Sequence, residues 1–227
     1  MEEASEAQRA QVRKLAASLL TAQEEERRRV SRELHDQICQ QLASLAIDIG
    51  GIVVAPPPSN ELTGQLKALQ ARVVRVSEET RHIAYELHPT VLDDLGLVAS
   101  LRSLCKDTSD KESIPVEFDS GPLPASLSRS LASCFYRVAQ EGLQNIVKHS
   151  GATSATVALE AKSGTVKLSI EDDGVGFNAE EVRGHGGLGL TTMEERARLV
   201  NGILSISSRP GHGTQDCTRC SVTSGDK

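Results

Sequence analysis

Aromatic residues are nearly absent from this sequence, and tryptophan is missing: Phe, Trp and Tyr together make up 2% of its 227 residues. A core built by this chain therefore has to consist mainly of aliphatic side chains, and the hydrophobic content of 38% is sufficient for one. A chain of this length corresponds to one large domain or two small ones.

Long apolar runs are also absent, which argues against a membrane-spanning helix. The best candidate, residues 49–55 (IGGIVVA), is far shorter than the roughly 20 residues that cross a bilayer. The N-terminus lacks the basic-then-apolar order of a signal peptide. Five scattered cysteines fit reduced thiols, and the single C-x-x-C at Cys217 and Cys220 is weak evidence for zinc or redox chemistry. These features predict a cytoplasmic protein with no membrane span.

Basic residues are outnumbered by acidic ones, and the formal net charge is −6. Because a basic patch is the electrostatic footprint of a nucleic-acid-binding protein, the composition argues against direct binding of nucleic acid. It does not exclude ATP, since backbone N–H groups, a metal ion or single lysines can meet phosphates locally.

The first half of the chain has the pattern of two long helices. One apolar stripe ends at Gly50, Gly51 and the segment APPPSN, and a heptad seam then runs from Leu62 to Leu87 before Pro89. Two helices joined by a short proline loop predict an antiparallel hairpin, which buries little by itself. We therefore expect a homodimer in which two hairpins form a four-helix bundle. The first stripe consists of Val30, Leu34, Ile38, Leu42, Leu45, Ile49 and Ile52.

The second half alternates between helix and strand patterns, which predicts a two-layer α/β sandwich. The whole chain is therefore of the α+β class, with a helical hairpin followed by the sandwich. Gly202 is expected to close the last helix. Helices are predicted at 90–107, 127–150 and 191–202, and strands at 114–119, 156–160, 165–170 and 203–208.

One predicted helix carries polar groups suited to a Mg²⁺–phosphate ligand. Glu141 and Asn145 lie four residues apart on one face, and Lys148 and His149 follow one turn on. Mg²⁺ takes oxygen ligands and shares the phosphates of its nucleotide, so a carboxylate, an amide oxygen and an ammonium suit this chemistry. An ordinary solvated helix face is the alternative interpretation.

Two glycine-rich segments follow. Asp172, Gly174 and Gly176 form a D-x-G-x-G pattern after a predicted strand, where the carboxylate could accept a hydrogen bond from an exocyclic amine. A plain Asp-Gly turn is the alternative. Gly187 and Gly189 belong to the sequence GHGGLGL before a helix, whose free N–H groups attract phosphate. A surface loop would have the same composition.

These three signals, in this order, resemble the ATP-binding domain of the GHKL superfamily, which includes histidine kinases, DNA gyrase B and MutL. The resemblance covers roughly residues 125–214. It implies that Asn145 and Glu141 hold Mg²⁺, that Asp172 reads the adenine amino group, and that ATP is the nucleotide. The implied nucleotide-binding set is Asn145, Lys148, His149, Asp172, Gly174, Gly176, Gly187, Leu188, Gly189, Leu190 and Thr214.

The predicted hairpin contains the pattern H-D-x-x-x-Q at His35, Asp36 and Gln40. With the segments ERRRVSRELHD and ELHPTVLDDLGLVASL, it resembles the sensor histidine kinases that pair with NarL/LuxR-type response regulators, over about residues 20–214. The resemblance implies that His35 accepts a phosphoryl group, with Asp36 as its base or orienting group and Gln40 positioning a water for a phosphatase reaction. Side chains at i and i+1 diverge on a helix, so a His35–Asp36 contact needs a favourable rotamer.

Competing histidines are weaker candidates for the phospho-acceptor. His88 precedes Pro89, where a capping role explains it, and His82 has no acidic neighbour. The sequence departs from the family pattern at Cys39, at His185 and in the polar tail QDCTRCSVTSGDK, whose last strand we expect to be short, frayed or replaced.

We divide the chain into an N-terminal signalling helix (1–23), a dimerisation and phosphotransfer hairpin (24–90), an ATP-binding domain (91–222) and a disordered tail (223–227). The stimulus is not evident, so input from a membrane-associated or separate sensor partner and a longer parent protein both stay open. Two other functions are also open: a serine kinase of the anti-sigma kind, which would not need the hairpin, and a degenerate dimeric scaffold for a regulator.

Overall fold

The computed structural model describes residues 2–54, 60–87, 90–124, 126–178, 188–211 and 213–221. The chain forms two compact units: one is Leu19–Thr90, and the other is Val91–Lys227 with Met1–Ser18. His88 and the predicted tail at 223–227 lie outside the described residues.

The described residues between 2 and 87, which include nearly all of the first unit, are helical. Helix α1 (Glu2–Glu33) passes through a π-helical turn (Leu34–Cys39) into α2 (Gln40–Val54), and α3 (Asn60–Leu87) follows the proline segment. Glutamate, glutamine, arginine and alanine favour helix throughout α1, since their side chains lose little freedom there. None of the described helices combines the length and the hydropathy of a membrane span.

The predicted antiparallel hairpin is confirmed by packing and by two interhelical hydrogen bonds. Ala46, Ile49 and Val73 are buried between α2 and α3. The Ser31 hydroxyl donates to the Ala84 carbonyl at 2.7 Å, and the Gln70 amide donates to the Ala46 carbonyl at 2.9 Å. Joining positions 31 and 84, and positions 46 and 70, these bonds fix an antiparallel register.

The hairpin leaves a regularly spaced set of apolar residues exposed to solvent. These residues recur every seven positions on both arms, so they form one row along each arm and are not isolated exposed residues. Exposed apolar rows of this kind mark interaction surfaces. They are Ile38, Leu45 and Ile52 on the first arm and Leu62, Leu69, Val76 and Ile83 on α3.

The second unit places helices against a five-stranded sheet, which confirms the predicted two-layer sandwich. Strand order is β1-β2-β3-β5-β4, with β1 and β2 parallel and the other pairs antiparallel. A mainly aliphatic core, which also contains Phe135 and Tyr136, fills the space between the layers. The elements are α4 (Thr90–Asp94), α5 (Gly96–Glu112), β1 (Val116–Ser120), α6 (Arg129–Asn145), a second π-helical turn (Ile146–Ser150), β2 (Ala155–Lys162), β3 (Thr165–Asp172), α7 (Leu188–Leu199), β4 (Gly202–Ser208) and β5 (Thr214–Ser221).

Two local expectations were wrong. The predicted helix 90–107 is split into α4 and α5, because Gly96 has a φ of 82°. Helix α7 ends at Leu199, and Asn201, with a φ of 54°, makes the left-handed turn expected of Gly202. Gly202 instead begins β4. Asparagine competes with glycine at such positions because its short polar side chain tolerates this conformation.

The polar C-terminal segment forms a full strand, contrary to the expectation of a short or frayed one. Strand β5 (Thr214–Ser221) lies between β3 and β4 and pairs with both along its length. Backbone hydrogen bonds to two neighbours hold it there, whatever its side-chain pattern. Thr218 is 1% exposed, and its hydroxyl has no hydrogen-bond partner among the described residues.

Candidate functional site

A cavity of about 480 Å³ opens in the second unit where the three sequence motifs converge. Its volume lies within the roughly 300–1,000 Å³ typical of small-molecule sites. Helix α6, the second π-helical turn, the loop after β3, the start of α7 and β5 all contribute. The lining residues are Glu141, Gly142, Gln144, Asn145, Ile146, Lys148, His149, Ser150, Ile170, Asp172, Gly176, Phe177, Gly189, Leu190 and Thr214.

The end of α6 brings the predicted metal and phosphate groups to the cavity. Glu141 and Asn145 are half-buried on the last turns of α6, and Lys148 and His149 are exposed on the π-helical turn. Gly151, with a φ of 58°, ends this turn. All four side chains border one space, so the spacing that predicted a shared face is matched by the geometry.

The start of α7 lies directly against Glu141. A Cβ added at Gly189 would overlap the Glu141 carboxylate, so glycine allows this close approach. A carboxylate beside a helix N-terminus is favoured by the helix dipole, and the same N-terminus favours phosphate. Gly189 and Leu190 line the cavity and Leu188 begins the helix, whereas Gly187 lies outside the described residues.

Asp172 ends β3 at the other side of the cavity. Its carboxylate accepts a hydrogen bond from the backbone N–H of Gly174 at 2.9 Å and is also bonded by Thr214, its partner across the β3–β5 pair. Burial raises the pKa of this carboxyl above its usual value, and the charge of Asp173 acts in the same direction, while the bonds from Gly174 and Thr214 oppose them. Asp172 is therefore a partly buried carboxylate that lines the cavity.

The loop after Asp172 is pressed against its surroundings. Gly176 has a φ of 60°, and a Cβ there would overlap the carbonyl oxygens of Arg209 and Gly213. Gly174 packs equally closely on Ser150, whose carbonyl accepts from the Val175 N–H at 2.8 Å. Only glycine fits at both positions, which explains the D-x-G-x-G pattern by close packing as well as by backbone conformation.

Asp173 anchors this loop to the turn that follows the π-helical segment. Its carboxylate accepts four hydrogen bonds, from the backbone N–H and the hydroxyl of both Thr153 and Ser154. The bonds, led by the Thr153 hydroxyl, hold the pKa of Asp173 well below its usual range. The two segments that border the cavity are thereby tied together. No sequence motif singled out Asp173, although it is the second aspartate of the EDDG sequence.

Apolar side chains complete the cavity, and most were not predicted. Ile146, Ile170 and Phe177 lie in its wall with Leu190, beside the amide of Gln144. Phe177 could have been noticed, since it is one of three phenylalanines in the chain and directly follows the D-x-G-x-G pattern.

In the hairpin unit, His35 lies in the π-helical turn and contacts Asp36. The His35 Nδ1 and Asp36 Oδ1 atoms are 3.1 Å apart, and both side chains are partly exposed, at 44% and 65%. The favourable rotamer needed for this contact is therefore present, within a widened helical turn of the kind that is frequent at functional sites. A proton on Nδ1, bonded to Asp36, leaves the Nε2 lone pair available. Gln40 is exposed at the start of α2.

Comparison with known proteins identifies the family. Residues 26–92 match the histidine kinase model HisKA_3, and residues 132–222 match the model of histidine kinase-, DNA gyrase B- and HSP90-like ATPases. The chain belongs to the histidine kinase family. It carries both the helical domain of the NarL-pairing subfamily and the ATPase-type domain.

Among curated relatives of this histidine kinase is the oxygen sensor histidine kinase NreB of Staphylococcus carnosus. It is 34% identical over 202 residues, which are 89% of this chain and 58% of that protein. The sensor histidine kinase MctS of Rhizobium johnstonii is 34% identical over 198 residues, 86% of this chain and 43% of that protein. The chain thus spans about half the length of these relatives.

One solved structure supports the fold. The histidine kinase domain of the blue-light activated histidine kinase of Erythrobacter litoralis has a TM-score of 0.51 and 15% sequence identity. The match covers 81% of this chain and 94% of that domain. It agrees with the order observed here, helices followed by an α/β sandwich.

Proposed function

We propose that this histidine kinase uses ATP to phosphorylate His35 and passes the phosphoryl group to an aspartate of a response regulator. The observation that carries the proposal is the single cavity bordered by Asn145, Asp172 and Gly189, one residue from each of the three motifs. An exposed imidazole bonded to a carboxylate, elsewhere in the same chain, supplies the matching acceptor.

The cavity would hold adenine at its Asp172 end and the triphosphate near α7. Asp172 accepts a hydrogen bond from the exocyclic amine, while Ile146, Ile170 and Phe177 cover the faces of the base. Lys148 and the N-terminus of α7 meet the phosphates. Specificity for adenine then rests mainly on the partly buried carboxylate of Asp172. A base without an amine at this position would leave that carboxylate without a hydrogen-bond donor.

The residues present also fit Mg²⁺. Glu141 and Asn145 offer a carboxylate and an amide oxygen on one side of the cavity. Among the described residues no group of three acids, histidines or cysteines could hold a metal alone. This suits Mg²⁺, which usually takes one or two protein ligands together with nucleotide phosphates and water. When bound, it would neutralise charge on the triphosphate.

His35 would act as the nucleophile through Nε2. Its lone pair forms a bond to the γ-phosphorus as the bond from that phosphorus to the β–γ bridging oxygen breaks, and ADP leaves. Asp36 keeps the proton on Nδ1 and stabilises the positive charge that develops on the imidazole. The phosphoryl group then passes from nitrogen to an aspartate oxygen of the regulator. Gln40 would orient a water for the reverse, phosphatase reaction.

The protein would act as a homodimer, with the exposed heptad rows of the hairpin as the interface. Pairing two hairpins buries Ile38, Leu45, Leu69 and their equivalents in one four-helix bundle. A NarL/LuxR-type response regulator is the expected partner, and the sensor input, the cytoplasmic location and the four-part domain division stay predictions.

Labelling with γ-labelled ATP and Mg²⁺ tests this function against its alternatives. We expect label that is lost in acid, kept in alkali and transferred to a response regulator, because a phosphohistidine has these properties. Acid-stable label would indicate a serine kinase instead. ATP binding without any label would indicate a scaffold, although the full-length β5 strand removes one reason for suspecting a degenerate domain.

A further inference from the structure

Ser208, the last residue of β4, connects three segments around the cavity without lining it. Its hydroxyl oxygen accepts a hydrogen bond from the Phe177 N–H at 2.8 Å. It also lies 3.0 Å from the Gly213 carbonyl oxygen and 3.0 Å from the Thr214 hydroxyl oxygen. One small side chain thus joins the loop after Asp172, the end of β4 and the start of β5.

The protons of this cluster can be assigned by counting. Each hydroxyl has a single proton to donate. The Ser208 hydroxyl donates its proton to the Gly213 carbonyl oxygen, so the proton between Ser208 and Thr214 is the one that the Thr214 hydroxyl carries. Ser208 thus accepts hydrogen bonds from the Phe177 N–H and the Thr214 hydroxyl and donates one to the carbonyl of Gly213, which packs against the backbone of Asp172. Connected hydrogen bonds of this kind strengthen one another by polarisation.

The backbone around Ser208 and its hydrogen-bond partners has little room to adjust. Gly176 already touches the carbonyls of Arg209 and Gly213 closely, and a Cβ at Gly213 would overlap the carbonyl of Asp172. Loss of the Ser208 hydroxyl would therefore free the Thr214 proton to turn toward other acceptors and leave the Phe177 N–H without its partner. The backbone that packs around Asp172, and with it the position of the carboxylate, would no longer be fixed.

We propose that Ser208 is a positioning residue for the adenine end of the nucleotide site. This inference rests on the function proposed above. Ser208 touches no nucleotide itself. It holds the Phe177 N–H, the Gly213 carbonyl and the Thr214 hydroxyl, and so fixes the backbone that packs around Asp172, whose carboxylate accepts from the exocyclic amine of adenine.

The prediction is one of base selectivity, which a purely structural role would not produce. Inosine has a carbonyl oxygen where adenosine has the amine, so the Asp172 carboxylate should repel it. A correctly oriented Asp172 therefore binds ADP more tightly than IDP. If Ser208 sets that orientation, its removal weakens ADP binding and leaves IDP binding nearly unchanged.

Calorimetric titration of the full chain with ADP and with IDP tests this. For Ser208→Ala we expect about five- to tenfold weaker ADP binding, from the loss of roughly one hydrogen bond's contribution, and a smaller ADP-to-IDP preference. Ser208→Thr keeps the hydroxyl and should restore both. Ser207→Ala is the matched control, because it is the neighbouring exposed serine on the other face of β4.

Three results would overturn the inference: an unchanged ADP-to-IDP preference in Ser208→Ala, an equal loss of both nucleotides, or no rescue by Ser208→Thr. Should Ser208→Ala fail to fold, Ser208→Cys, which keeps the volume but donates weakly, gives the same readout. If the wild-type protein binds neither nucleotide, the proposed function itself is contradicted. If the wild type binds ADP and Ser208→Ala keeps the preference for ADP over IDP, only the role of Ser208 is contradicted.

Discussion

At the scale of single residues, Asp172 is the group whose charge matters most for the proposed nucleotide site. It must be ionised to accept a hydrogen bond from an amine, yet burial opposes its ionisation and raises its pKa. The burial that excludes water from the base therefore has a second effect. As the pH falls, Asp172 becomes protonated at a higher pH than an ordinary aspartate does.

We predict that ADP affinity falls as the pH decreases through a pKa above the usual aspartate value. The protonated form of Asp172 no longer accepts from the amine, so binding is lost on the acid side. The raised pKa of Asp172 affects stability with the opposite sign. It stabilises the folded protein at a pH below the pKa of this group in the unfolded chain, and this stabilisation is lost as the pH rises through the higher pKa of the folded state. Calorimetric titration between about pH 7.5 and pH 4.5 measures the binding effect, in the range set by the reference aspartate pKa.

Asp172→Asn is the control for this titration, since it keeps the shape and cannot ionise. It should bind ADP weakly at every pH, without the acid-side decrease. An affinity in the wild type that stays constant down to the pKa of an ordinary aspartate would show that Asp172 does not contact the base in its charged form.

The motif residues could be predicted from sequence because each motif lies within a few consecutive positions. Glu141 and Asn145 share a helix face, and Asp172 precedes its two glycines. Ser208 and Asp173 could not be assigned roles in this way. Their partners, Phe177 and Thr153, are 31 and 20 positions away, and only the folded sheet brings them together.

At the scale of secondary-structure elements, β5 shows why sequence pattern alone gave the wrong expectation. An interior strand is usually recognised by apolar alternation, but Thr218 occupies a core-facing position opposite Leu168 and next to Leu204. Its buried hydroxyl has no partner among the described residues. The strand is held by backbone pairing on both sides, which no side-chain pattern records.

Replacing the unpaired hydroxyl should stabilise the second unit. Valine has nearly the shape of threonine, and an unsatisfied buried hydroxyl costs on the order of 1–3 kcal/mol. We predict that Thr218→Val raises the free energy of unfolding by about 1 kcal/mol and the midpoint of thermal unfolding by about 2–4 °C. Thr156→Val, on the exposed face of β2, should change neither. A lower midpoint for Thr218→Val would mean that the hydroxyl has a partner.

Both π-helical turns contain residues of the proposed site. One contains His35 and Asp36, and the other contains Lys148 and His149. Widened turns shift the directions of successive side chains, which is why the neighbours His35 and Asp36 meet at 3.1 Å. Sequence spacing assumes a regular helix and so could not predict this contact.

At the scale of the whole molecule, the hairpin has the apolar surface of an incomplete bundle. Seven large apolar residues that recur at heptad spacing, three on the first arm and four on α3, are exposed among those that the structure describes. The hairpin itself was predictable from its seam and its proline loop. The dimer stays a prediction, because one chain cannot show which of its faces a second copy covers.

We predict that Leu69→Glu weakens the dimer and shifts the mass in solution from two chains toward one. A charge placed in the exposed row would be buried without a partner on association. Ala71→Glu introduces the same charge two positions along α3, off the row, and should leave the mass unchanged. Light scattering during size-exclusion chromatography measures both. A monomeric wild type, or equal behaviour of the two variants, would rule out this interface.

The central claim is that a nucleotide held by the cavity at Asp172 phosphorylates His35. Its most direct test is mass-spectrometric localisation of the phosphoryl group after incubation with ATP, in the wild type, His35→Gln, His82→Gln and Asp172→Asn. We predict phosphorylated His35 in the wild type and in His82→Gln. We predict no phosphohistidine in His35→Gln or in Asp172→Asn, although both variants remain folded. A phosphoryl group on another residue, or undiminished phosphorylation in His35→Gln or Asp172→Asn, would contradict it.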